Sequence, residues 1–151
     1  MRNWLVHGLA AGFVVVGATS VIAAGDPLET RKTIMDSVAA AAGLGGGMMK
    51  GEIAYSPAAG KAAIATMAAA SHSFGSFFPA GSDAGDTTAS PAIWSDAAGF
   101  EAALAKFAAT ADAAVQASGK DGPADVDAFK AAFGPIMGNC KSCHEAFRVK
   151  K

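Results

Sequence analysis

The sequence predicts an all-α fold, an antiparallel bundle of four helices, and three observations carry that reading. About a quarter of the 151 residues are Ala and only one is Tyr, a composition poor in the β-branched and aromatic residues that strands favour. Four stretches repeat apolar residues at three- and four-residue steps, the period of a helix with one buried face. Each stretch lies between Pro and Gly punctuation, and three open on Asp-Pro or Ser-Pro, a capping side chain followed by a residue suited to the first helical position. The 52% apolar and 17% charged content is enough to close one core. With 12 Lys and Arg against 13 Asp and Glu, the charge balance excludes an electrostatic nucleic-acid binder.

The first segment is an address rather than part of the fold. Arg2 precedes an uncharged run from Leu5 to Ala24 that ends in small residues, the layout of a secretory signal. Residues 1–24 are therefore expected to be removed near Ala23 or Ala24. Residues 25–151 then form one mildly acidic domain, exported to the periplasm and free of the membrane after cleavage.

The first helix begins at Asp26-Pro27 and carries Leu28, Arg31, Ile34, Met35, Val38 and Ala42 to about Met49. Gly43, Gly45, Gly46 and Gly47 either weaken its second half or mark the close approach of another group, because each costs about 1 kcal/mol relative to Ala. The second helix opens at Ser56-Pro57, places Ile64, Met67, Ala68, Ser71, Phe74 and Phe78 on one face, and stops at Pro79. Residues 79–90 are rich in Gly, Asp, Ser and Thr and read as a surface crossing. The third helix is expected over 91–117 from the cap at Ser90, with Ile93, Trp94, Phe100, Leu104 and Phe107 inward. The fourth spans about 124–148 through Val126, Phe129, Phe133, Met137, Cys140, His144 and Phe147, with a bend at Pro135.

The last helix contains Cys140-Lys141-Ser142-Cys143-His144, the C-x-x-C-H pattern of covalent c-type haem attachment. Residues three and four apart on a helix face the same way, so one turn offers two thiols for thioether bonds and an imidazole for the iron. A redox dithiol, a zinc pair or a plain disulfide would share part of this spacing. A thioredoxin-type motif follows a strand, zinc needs more ligands than His72 and His144 supply, and a disulfide has no use for His144.

The chain resembles the class II c-type cytochromes, which comprise cytochrome c′ and its low-spin relatives. The resemblance runs through Arg31 and Met35, Phe77-Phe78-Pro79, Ser90-Pro91-Ala92-Ile93-Trp94, and Cys140 to Arg148, and it looks closest to the low-spin branch. It implies one covalent haem c with His144 as the proximal ligand. No methionine follows His144, and Met35 lies one turn after Arg31, which would place a thioether at the iron while the guanidinium reaches a haem propionate. The plain alternative for Met35 is a core methionine that fills the distal pocket. Met48, Met49 and Met67 read as core, and His72 as a surface or locally satisfied side chain. Trp94, Phe100, Phe107, Phe129, Phe133 and Phe147 read as core and haem packing.

The function expected from these residues is single-electron transport through His144 and Met35, with periplasmic redox proteins as partners. The alternative is a five-coordinate haem of the cytochrome c′ kind that takes up NO or CO. No nucleophile with a base, carboxylate pair or phosphate loop is present, so no enzyme is expected. Relatives in the family are often homodimers through their first two helices, and the small residues there are compatible with a homodimer.

Overall fold

The computed structural model describes residues 25–150, so the expected signal segment lies outside the described residues. Helix α1 covers Pro27–Lys50, α2 Pro57–Ser73, α3 Ala92–Ser95, α4 Ala97–Ser118 and α5 Val126–Phe147. The long helices pack in the cyclic order α1, α2, α4, α5, with α1 meeting α5 over the shortest stretch. No described helix is long and apolar enough to cross a membrane.

The caps are those the sequence names. Asp26 accepts from the Leu28 amide at 3.0 Å and Ser56 from the Ala59 amide at 3.2 Å, each just before a proline at the start of its helix. Asp125 does the same for α5 through Ala128 at 2.8 Å. Two expected helices are divided. The second ends at Ser73 and tightens into a 3₁₀ turn over Phe74–Phe77. The third is interrupted at Asp96, whose φ of −124° and ψ of 60° leave the helical region while its carboxylate caps α4 through Gly99 at 3.1 Å. Asp96 thus ends α3 and starts α4, and its short polar side chain competes with the helix for the backbone. Helix α5 continues through Pro135 to Phe147.

One half of the bundle is filled by its own side chains. Phe129 and Phe133 stack at 4.9 Å with Met48, Ile64, Met67 and Ile136 around them, all fully buried. Each such burial contributes about 1.5–3 kcal/mol. Two glycines of the α1 run are explained here, because a Cβ at Gly45 would overlap the Phe133 ring and one at Gly47 would press on Ile53. Gly45 and Gly47 serve close approach, a Cβ at Gly43 or Gly46 would meet nothing, and α1 stays helical through all four.

Candidate haem-binding site

In the other half, α1 and α5 diverge around a cavity of about 540 Å³, within the roughly 300–1,000 Å³ typical of cofactor sites. Cys140, Cys143 and His144 line it from the last turns of α5, and Met35, Val38 and Ala42 line it from α1. Phe74, Phe78, Phe100, Phe107 and Phe147 make the remaining walls largely apolar, with Ile93 and Leu104. The edge-on contacts Phe78–Phe100 at 5.0 Å and Phe100–Phe147 at 5.3 Å tie three of these rings together.

The cysteines are unbridged and half-buried, and burial pushes both thiols up, with the neighbouring Cys140 adding to the effect on Cys143. Burial, and then the charge of Arg148, push His144 down, which favours the neutral imidazole that has a lone pair to give a metal. Two thiols and a neutral imidazole on one wall, a thioether on the other and aromatic rings between them fit a flat apolar macrocycle with a central metal. Among the described residues no three His, Cys, Asp or Glu side chains converge as a metal site.

Arg31 lines the cavity and is anchored within the chain. It is 4% exposed, and its Nη groups donate to Phe77 O at 3.5 Å, Ser82 Oγ at 3.2 Å, Ser82 O at 2.8 Å and Thr87 Oγ1 at 3.1 Å. Its guanidinium also lies over the Phe78 ring at 5.0 Å and the Trp94 ring at 5.8 Å. Four neutral acceptors and two rings hold this cation, so its first task is to fasten the 79–90 segment to α1.

The other sequence expectations sort by position. Met35 and Met137 reach the cavity, whereas Met48 and Met67 are core and Met49 packs against it. His72 bonds Asp112 at 2.8 Å on the exposed faces of α2 and α4 and does not line the cavity. Phe129 and Phe133 belong to the closed half rather than to the haem pocket. Sequence reasoning missed Phe74 and Phe78 as pocket walls, although their spacing of four put both on one face. It also missed residues 86–89, which line the cavity mouth from a stretch read as surface crossing.

Comparisons with known proteins agree with this geometry. The family model described as Cytochrome C′ matches residues 26–148. Cytochrome c′ of Rhodopseudomonas palustris is 40% identical over 142 residues, covering 93% of this chain and 94% of its own. Cytochrome c-556 of Agrobacterium fabrum is 34% identical over 134 residues, covering 89% of this chain and 88% of its own. Among solved structures, Rhodopseudomonas palustris cytochrome c′ superposes with a TM-score of 0.74 at 39% identity, covering 84% of this chain and 98% of that one. Rubrivivax gelatinosus cytochrome c′ gives 0.73 at 36% identity, with 83% and 96% covered. The low-spin His/Met branch favoured by the sequence reading finds no support here, because the family model and both structures bear the name cytochrome c′. With the whole bundle matched and its cavity built around the C-x-x-C-H turn, the chain belongs to the cytochrome c′ family of class II c-type cytochromes, haem proteins that carry one covalent haem c.

Proposed function

We propose that this protein is a periplasmic haem protein of the c′ kind, in which Cys140 and Cys143 hold the haem, His144 is the proximal ligand and the distal side takes up NO or CO. The observation that carries the reading is an apolar cavity that gathers both thiols, the imidazole and Met35. When bound, the haem supplies an iron that changes oxidation state and takes diatomic gases when reduced. The chain's own residues do the rest. The thiols of α5 fix the macrocycle against one helix, and His144 offers its neutral nitrogen one residue beyond Cys143. Met35, Val38 and Ala42 wall the opposite side and limit what can enter. The phenylalanines exclude water, which favours a small apolar ligand over an ionic one. Arg31, whose acceptors are all neutral, leaves positive charge at the wall where the haem carboxylates would be welcome. The uncharged run of residues 5–24 supports export, and periplasmic redox proteins are then the natural electron donors and acceptors.

A second reading keeps Met35 as a sulfur ligand in a one-electron carrier, favoured by its place on the wall facing His144. Absorption spectra of the exported protein, oxidised, reduced and reduced with CO, separate the two. The c′ reading expects a high-spin reduced spectrum that shifts with CO. A sharp low-spin spectrum with a sulfur-to-iron band and no response to CO would overturn it in favour of the carrier.

A further inference from the structure

Helices α1 and α5 face each other across the cavity and are joined in different ways at its two ends. At the inner end Gly45 lies directly against Phe133. Beyond it the cavity is lined from Ala42 back to Arg31 on α1 and from Met137 to Arg148 on α5. At the outer end residues 82–90 span the gap. From α1, Arg31 donates to Ser82 and to Thr87 Oγ1, and Lys32 pairs with Asp86 at 3.7 Å. From the end of α5, Val149 N donates to Thr88 O at 2.9 Å and Arg148 Nε to Thr88 Oγ1 at 3.4 Å. Ser90 N returns a bond to Phe147 O at 3.0 Å. Thr87 Oγ1 also accepts from Ala89 N at 3.0 Å, joining the two sets. Arg148 N closes on His144 O at 3.2 Å. The bonds thus run from Arg31, one turn before Met35, to the turn that carries His144.

The geometry points to residues 82–90 acting as a latch that sets the width of the haem slot, with Thr87 and Thr88 as positioning residues for the distal side. This inference rests on the reading that Met35 and His144 face opposite sides of a haem. At this end α1 and α5 are joined by the segment that bonds to both and by the ring series Phe78, Phe100 and Phe147 that runs from beneath Arg31 to the end of α5, and the segment is the part held by hydrogen bonds from both helices. Thr87 matters most, because its hydroxyl is the shared acceptor and its loss leaves a guanidinium hydrogen without a partner beside a residue that is 4% exposed. With the latch released, the first turns of α1 move away from the iron more often, and a gas reaches the distal side sooner.

The test is the rate at which the reduced holoprotein combines with CO, measured together with the haem content of each variant. Thr87→Val, similar in shape but without the acceptor, is expected to combine about threefold faster or more than the parent at unchanged haem content. Thr87→Ser is expected to restore the parental rate. Thr88→Val is expected to act in the same direction with smaller size, since its bond from Arg148 is long and exposed. A parent that excludes CO beside a Thr87→Val protein that admits it meets the same expectation. Parental rates in both valine variants, or exclusion of CO by all, would overturn the latch. So would an equal acceleration in Thr66→Val, whose hydroxyl bonds Ala62 O on α2 away from the cavity. If Thr87→Val fails to accumulate, Thr88→Val decides by the same criteria. A parent without covalent haem refutes the underlying assignment of the site instead, and haem content shows this before any rate is taken.

Discussion

The two halves of the bundle are built from the same four helices and finished in opposite ways. Around Phe129, Phe133, Ile64 and Met67 the chain's own side chains pack fully buried, and glycines at 45 and 60 let aromatic rings approach the backbone closely. Around Cys140 and His144 the same helices leave a cavity of about 540 Å³ walled by phenylalanines. An apolar hollow of that size is costly in a small domain unless something fills it. The closed half supplies stability, and the open half spends part of it to keep a shape for the haem.

Four experiments would break or sharpen that contrast. The largest effect belongs to the open half. Cys140→Ala combined with Cys143→Ala should abolish covalent haem altogether, read as the absence of haem in the denatured chain. Cutting into the closed half should cost stability and leave the spectrum alone. Phe133→Ala, at a fully buried position, is expected to lose about 3–5 kcal/mol in denaturant unfolding of the holoprotein. If its haem spectrum changed as well, the two halves would not be independent. Gly45→Ala tests the same packing from the other side. Its new methyl must displace the Phe133 ring, so a loss of about 1–3 kcal/mol is expected although Ala is the better helix former. A gain in stability would show that the ring yields.

The smallest effect concerns Tyr55, which packs on Phe129 at 5.5 Å and donates its hydroxyl to Pro123 O. Burial, and then the charge of Asp125, push its pKa up. A raised folded pKa means that the folded protein holds this proton more tightly than the unfolded chain. The contribution is therefore complete below about pH 10 and is lost as pH rises through the folded pKa. Tyr55→Phe should lose about 0.5–1.5 kcal/mol at neutral pH. The gap between the two proteins should narrow in alkaline unfolding curves and stay constant from pH 7 down to pH 6.

The halves also differ in how much of them a sequence reveals. The closed half follows from local rules. The start of its α2 is written in Ser56-Pro57, and its core in the spacing of Ile64, Met67, Phe129 and Phe133. In the open half the C-x-x-C-H turn is legible because attachment needs residues three and four apart on one helix. The long-range parts are not. Arg31 reads from its place one turn before Met35 as a partner for a haem propionate, and its four hydrogen bonds within the chain go to residues 46 to 56 positions away, a separation that no periodicity encodes. Asp96 reads as one more polar residue on a continuous helix, and only the direction taken by the chain shows that it is a cap. Phe129 and Phe133 share a face with Cys140 and His144, but spacing cannot say at which height along α5 the packed core gives way to the cavity.

The pairing of residues 82–90 bears on which changes of length the protein can accept. Loops are ordinarily where insertions and deletions accumulate, because their backbones answer only to solvent. Here Thr87 takes the hydroxyl contact with α1 and the very next residue, Thr88, takes the bonds from Arg148 and Val149. One residue added between Thr87 and Thr88 would put one set of bonds out of register with the other. A segment rich in Gly, Ser, Thr and Asp, with the look of spare chain, should therefore be fixed in length at this point, and its neighbours Gly85, with a φ of 98°, and Asp86, paired with Lys32, are constrained as well.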